Sequence, residues 1–264
     1  MRHLVSVLVL VLVLATGFSG GAAHAGNACE EKRPQASDFM NGMALAQRTR
    51  TALEQTDAQV VLVARVGQDL SKYGVRYSHM AFAWRDHPKG RWLVVHELNE
   101  CGTATSSLYN EGLGNFFLDG MFAYEARIVV PSAAVQQRLA AMLASDTPRR
   151  MHSPRYNMLA HPFRTRYQNS NQWLLESWAA AMSEFPVADR AQAQAWLKLA
   201  QYQPITLQIP AMTRLGGRMF RANIAFDDQP FDRRMAGQID AVTVESVLRF
   251  VHRVDPGSHD IDIR

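Results

Sequence analysis

Apolar residues recur at helical spacing between Ala36 and Gln55, where Phe39, Met43, Leu45, Ala46 and Leu53 stand among good helix formers with no proline, and this predicts a helix. Val60 to Val66 is rich in β-branched residues and suits a buried strand. From Tyr77 to Trp84 the pattern alternates, with Tyr77, His79, Ala81 and Ala83 on one face and Met80, Phe82 and Trp84 on the other. The turn formers Asp86-His87-Pro88-Lys89-Gly90 separate this run from a second strand, Arg91 to Leu98, so the two read as a hairpin. A further strand is expected at Tyr124 to Val130 and a helix at Ser132 to Ala144, with Val135, Leu139 and Met142 on its inner face.

From Gln168 to Met182 positions 170, 173, 174, 177, 178 and 181 form the stripe of a helix buried along one side. Another helix is expected from Ala188 to Gln201, strands at Ile205 to Ile209 and Met219 to Phe226, and a last helix at Val244 to His252. Helices mixed with a mainly antiparallel sheet give an α+β fold class.

The start of the chain reads differently. Arg2 and His3 precede an apolar run from Leu4 to Leu14, and Ala23-His24-Ala25 is a small-x-small cleavage pattern before Gly26. Residues 1–25 therefore read as a secretory signal peptide and 26–264 as one domain. The apolar run is shorter than the roughly 20 residues that span a bilayer, and no later stretch is long and uncharged enough, so no membrane span is expected. The expected location is periplasmic or secreted. A formal net charge of +4 is mild for 264 residues, which argues against nucleic acid as a partner.

In an oxidising compartment an even cysteine count points to a disulfide. Cys29 and Cys101 are the two cysteines, and joining them would tie the mature N-terminus to the loop Asn99-Glu100-Cys101-Gly102-Thr103. Closing a loop of that size is worth about 4 kcal/mol in the chain-entropy model. The rival reading makes Cys101 a free nucleophile.

Candidate chemistry concentrates in two places. His79 shares its strand face with the small residues Ala81 and Ala83, and His96 stands in the corresponding region of the returning strand, within reach across a hairpin. A base oriented by a second polar side chain is what activation of a nucleophile requires. Ser170 begins the buried stripe of its helix, where unpaired N–H groups and the helix dipole favour a developing anion. Serine and asparagine are also the preferred N-cap residues, so Asn169, Ser170 and Asn171 equally read as a cap. The remaining histidines, among them His87, His161, His252 and His259, show no metal-ligand spacing, so neither a metal nor another cofactor is expected.

The segments Arg76-Tyr77-Ser78-His79, Asn99-Glu100-Cys101-Gly102-Thr103, Asn115-Phe116-Phe117-Leu118-Asp119, Arg166-Tyr167-Gln168-Asn169-Ser170-Asn171-Gln172-Trp173 and Arg214-Leu215-Gly216-Gly217-Arg218 resemble a secreted bacterial family known only as domain of unknown function twenty-one forty-five. Ser-His-Met-Ala-Phe at 78–82 and Trp-Leu-Val-Val-His at 92–96 also look like the strand pair of circularly permuted papain-like proteins, the group of cell-wall amidases and lecithin:retinol acyltransferase-like enzymes. That second resemblance implies a permuted papain-like fold with His79 as base, His96 as orienting residue and Ser170 where the group carries a nucleophilic cysteine. A hydroxyl has no appreciable anion population at neutral pH and must lose its proton during attack.

From Arg149 to Arg166 the chain holds Arg149, Arg150, Arg155, Arg164, Arg166, His152 and His161 and no acidic residue. If this run lines the cleft, it favours an anionic cell-envelope peptide or lipid, with Arg166 and Tyr167 nearest the helix and beside Asn169 and Asn171 as substrate contacts. Otherwise it is a solvated basic loop. Two functions stay open: a hydrolase or acyltransferase acting on an amide or ester through Ser170, His79 and His96, and a non-catalytic periplasmic binding or assembly protein that retains the cleft.

Overall fold

The computed structural model describes residues 35–264. The leader-like residues 1–25 and Cys29 lie outside the described residues. In chain order the elements are α1 (Ala36–Glu54), β1 (Val60–Val66), β2 (His79–His87), β3 (Gly90–Asn99), β4 (Ser106–Glu111), α2 (Leu113–Leu118), β5 (Ala123–Val130), α3 (Ala133–Leu143) and α4 (Thr147–Arg150). They continue with α5 (Ser170–Met182), α6 (Arg190–Leu199), β6 (Ile205–Gln208), α7 (Ala211–Phe220), α8 (Phe231–Met235), β7 (Gln238–Ala241), α9 (Val244–Val254) and β8 (His259–Ile263). Six strands form an antiparallel sheet in the order β4-β3-β2-β1-β5-β8, and β6 pairs with β7 in a small separate ribbon. The fold is therefore α+β.

The sheet is buried on both faces, which explains why β1 is buried at all seven positions. Leu62, Met80, Phe82 and Val129 point to one side, where Trp173 and Trp178 of α5, Leu139 of α3 and Val247 and Phe250 of α9 fill the core. Val61, Val63, Ala81, Ala83 and Ile128 point to the other, under Leu45 and Leu53 of α1 and Phe116 and Phe117 of α2. A third, smaller cluster of Leu207, Ile209, Phe226, Ile239 and Ala241 holds the ribbon together.

α5 is the central helix, buried along its whole length from Ser170 to Ala179. Such a helix must satisfy its polar side chains internally, and the Glu176 carboxyl does so by accepting from Gln168 (2.6 Å), Gln172 (3.2 Å), Gln194 (2.7 Å) and Arg190 (2.7 Å). Arg190 also donates to the backbone carbonyls of Thr165 and Tyr167. Through this network α6 and the irregular segment between α4 and α5 are anchored to the helix that opens with Ser170.

Three expectations are corrected by the structure. Met219 to Phe226 is not a strand: Met219 and Phe220 close α7, and the chain then turns back so that Ile224 packs on Gly217. A stretch read only for its apolar content was thus split between a helix end and a loop. Tyr77 packs with Met80 and Phe82, not with the His79 face, because regular alternation begins only at His79. Phe39 and Met43 are exposed, since α1 turns Gly42, Leu45, Ala46, Thr49 and Leu53 inward instead. Gly42 is required there: a Cβ would stand 2.7 Å from the Phe117 carbonyl oxygen. None of β4, β7, β8, α2, α4, α7 and α8 is predicted from the sequence pattern.

Glu97 of β3 is fully buried, and neither of its carboxyl oxygens has an aligned hydrogen-bond partner. Burial pushes its carboxyl up to about 8, with Ser106 and Arg190 only partly offsetting the cost of charging it. The folded protein therefore holds this proton while the unfolded chain, at 4.5, releases it. Its contribution is fully present below pH 4.5 and is lost progressively as pH rises toward about 8. At pH 7 the loss is about 3 kcal/mol. Urea unfolding should show wild-type stability falling from pH 5 to pH 8, and Glu97→Gln should flatten that decline and be the more stable protein at pH 8.

Candidate active site

Three consecutive strands and one helix end converge at one end of the sheet. The β2–β3 ladder closes at Phe82 opposite Val95, and beyond that pair the first turn of α5 enters against β2. Asn171 replaces the missing strand there: its side-chain oxygen accepts from Met80 N–H at 3.0 Å and its amide donates to the Ser78 carbonyl at 3.3 Å. Asn169 caps α5, its side-chain oxygen accepting from Gln172 N–H at 2.8 Å. The cap is thus made by Asn169, which leaves the Ser170 hydroxyl uncommitted to the helix.

That hydroxyl lies 3.1 Å from His79 Nδ1. His79 Nε2 lies 2.9 Å from His96 Nδ1, and His96 Nε2 lies 3.0 Å from Glu111 Oε1 on β4. The last contact is close without being aligned as a hydrogen bond. The β3–β4 register, His96 opposite Tyr109 and Val94 opposite Glu111, brings Glu111 diagonally under the His96 ring. Phe116 covers both imidazoles, with ring centroids 5.8 Å from His79 and 5.5 Å from His96. His79, His96 and Ser170 are all buried, whereas Glu111 is partly exposed on the outer side.

The order of partners fixes the protons. A carboxylate only accepts, so the 3.0 Å approach of Glu111 favours the tautomer of His96 that carries its proton on Nε2. His96 Nδ1 is then a lone pair and accepts from His79 Nε2–H, leaving His79 Nδ1 as a lone pair aimed at the Ser170 hydroxyl. Burial holds His79 well below the usual histidine range, and Arg65 and His96 add to the effect. Burial also lowers His96, against the opposing pull of Glu111. The base is therefore neutral and ready to take a proton at neutral pH.

Tyr156, from the segment before α5, is buried and lines the same cleft as Ser170. Burial and the neighbouring Glu97 raise it, so it remains a donor. The first-turn N–H groups of α5 are further donors at this end of the cleft.

A cleft of about 460 Å³ opens onto these groups. Ser170, His79, Asn169, Asn171 and Tyr156 line it, with Arg65 and Asp119 at a polar end and Leu159, Leu207, Ile209 and Ile224 along an apolar wall. Arg65 is already committed to Asp119 and to the Phe116 carbonyl. Cys101 also lines the cleft and is not a free thiol.

The structure brings His79, His96, Ser170, Asn169 and Asn171 together and leaves Arg166 and Tyr167 apart from them. Arg166 pairs with Asp227 at 2.8 Å, the Tyr167 hydroxyl faces the same carboxylate at 3.4 Å, and neither lines the cleft. Arg150 is paired with Asp146. The acidic partners come from outside the basic run, so a reading confined to residues 149–166 does not see them. Glu111 and Tyr156 were missed by sequence reasoning. The one signal for Glu111 was a polar stretch, Ser106 to Glu111, following a hairpin at the spacing of a third strand.

No helix among the described residues is long and apolar enough to cross a membrane. No curated protein and no solved structure matches the chain. A family model does match, over residues 52–251, a span that includes every residue of the Ser170–His79–His96–Glu111 series, and the chain belongs to that family, described as uncharacterized proteins conserved in bacteria (DUF2145).

Proposed function

We propose that this protein is an exported hydrolase or acyltransferase that acts on an amide or ester bond of a cell-envelope substrate, with Ser170 as nucleophile. One observation carries the reading: the series Ser170–His79–His96, with hydrogen-bond separations of 3.1 and 2.9 Å, and the Glu111 carboxylate 3.0 Å beyond His96. A helix cap alone would not need it, because Asn169 already makes the cap. The resemblance to permuted papain-like proteins, in which a base on one strand, a polar residue on the next and a nucleophile opening a later helix act together, supports the same assignment.

In the proposed reaction Ser170 Oγ attacks the carbonyl carbon while His79 Nδ1 takes the hydroxyl proton. The imidazolium that forms is held by His96 Nδ1, and His96 in turn by Glu111. The oxyanion is received by the Ser170 and Asn171 N–H groups and the Tyr156 hydroxyl. His79 then returns its proton to the leaving amine or alcohol, and an ester remains on Ser170. Water completes hydrolysis, or an acceptor hydroxyl or amine completes transfer, with His79 again taking the proton of the incoming group. The leader-like residues 1–25 support export, and pairing of Cys29 with Cys101 would brace the cleft rim in an oxidising compartment. The apolar wall of the cleft supports a substrate with an apolar portion.

A fluorophosphonate probe tests the nucleophile. Wild type should be labelled, and Ser170→Ala and His79→Ala should not; absence of wild-type labelling would leave a binding protein as the better description. The pH dependence of labelling tests the base. Because His79 is held below 6.5, the rate should stay level from pH 8 down to pH 6.5 and fall only at more acid values; a midpoint near 7 would contradict a buried neutral base. Glu111→Gln tests the proton order. An amide can donate as well as accept, so the His96 tautomer is no longer imposed and labelling should slow by roughly 10²–10⁴, with the melting temperature little changed.

A further inference from the structure

Arg65 is the one charged residue of β1, whose other positions are all Val, Leu or Ala. It is 5% exposed, and a guanidinium so placed must find its partners inside the protein. It reaches the chain at the end of α2, donating to the Phe116 carbonyl, to the Asp119 carbonyl at 2.9 Å and to the Asp119 carboxylate at 2.5 Å. It also stands over the Phe116 ring, 4.8 Å from the centroid, and that ring covers both imidazoles of the site. Arg65 therefore seats Phe116, which by itself would account for a buried arginine.

The strand register adds something that a seat does not need. Arg65 pairs directly with His79 across the β1–β2 ladder, and directly opposed residues share a sheet face with their Cβ atoms about 5 Å apart. A permanent cation is thus fixed beside the base. Its charge is only partly offset, because the Asp119 side chain is 57% exposed and screened by solvent, and the Arg65 Nε–H has no aligned acceptor. The other groups around the base are His96 from β3, Glu111 of β4 behind it, Ser170 of α5, and Tyr156, which shares the cleft. Glu111 and Asp119 favour a proton on the imidazole pair, whereas Arg65 opposes it.

We propose that Arg65 and Asp119 are positioning residues that together set the basicity of the His79–His96 pair, the cation holding it neutral and the carboxylate limiting how far. The proposal rests on His79 being the base for Ser170. A base depressed too far accepts a proton poorly, and one left at its ordinary value is already partly protonated in mild acid. Two opposed charges at the closed end of the cleft place the pair between these limits.

Opposite substitutions test it. The acid limb of fluorophosphonate labelling should move to higher pH in Arg65→Gln, where the opposing cation is gone, and to lower pH in Asp119→Asn, where that cation is less offset. At the wild-type midpoint the two variants should then differ in rate about tenfold. Arg65→Lys keeps the charge without the fork, and its midpoint should stay near that of wild type. If the pair served only to seat Phe116, either loss would loosen the ring and admit water, moving both midpoints in the same direction. A common direction, an unmoved Asp119→Asn, or an Arg65→Lys that follows Arg65→Gln overturns the proposal. Asp119→Asn alone still decides it should Arg65→Gln not fold. Imidazole NMR titrations of the same variants on a Ser170→Ala background read the shifts without labelling, so a wild-type protein that is never labelled would remove the nucleophile while the charge coupling still stands or falls on the titrations.

Discussion

The site depends on a side-chain amide standing in for a strand. At the end of the sheet where β2 and β3 cease to pair, the backbone groups of Ser78 and Met80 would be left unsatisfied in a buried position, at a cost of about 1–3 kcal/mol each. Asn171 answers both and in doing so fixes the first turn of α5 against β2. The same opening lets the His79 and His96 rings meet where backbone hydrogen bonds would otherwise be. Ser170, one residue before Asn171, then has little freedom except to face His79. The polar network around Glu176 holds the rest of the helix in place, so the position of one hydroxyl is set by groups distributed over the whole length of α5.

A serine at position 170 suits the electrostatics found around it better than a thiol would. A thiolate–imidazolium pair needs a histidine that protonates readily. Here burial, Arg65 and the second imidazole all oppose protonation of His79. A neutral base that takes its proton only during attack is what a hydroxyl requires. The hydroxyl that looked, in sequence, like a loss of chemistry is matched to a site that would disfavour a resting ion pair.

How much could be read beforehand divides along physical lines. β1, the β2–β3 hairpin, β5, α1, α3, α5, α6 and α9 announce themselves by periodicity, and His79, His96 and Ser170 lie on them. Glu111 lies on an edge strand whose half-exposed, polar residues carry no strong alternation, and Tyr156 sits in irregular chain whose shape is set by Gln168 and Arg190 rather than by any local pattern. Arg166 misled because a charge run says nothing about where its counterions come from, and Asp227 lies far along the chain. Met219 to Phe226 misled because apolar content without a period does not distinguish a strand from an exposed helix face followed by a packed turn.

Glu111 stands on β4, an edge strand of the sheet, and is not part of the cleft wall. The series from Ser170 to Glu111 therefore passes through the dry interior from one surface of the molecule to another. Its middle is sealed by Phe116, while its far end lies away from the cleft. On the proposed reading of Ser170 as nucleophile, a cation or a strand-forming peptide seated at that outer edge would alter its reactivity without competing for the cleft, lowering turnover and leaving substrate affinity unchanged.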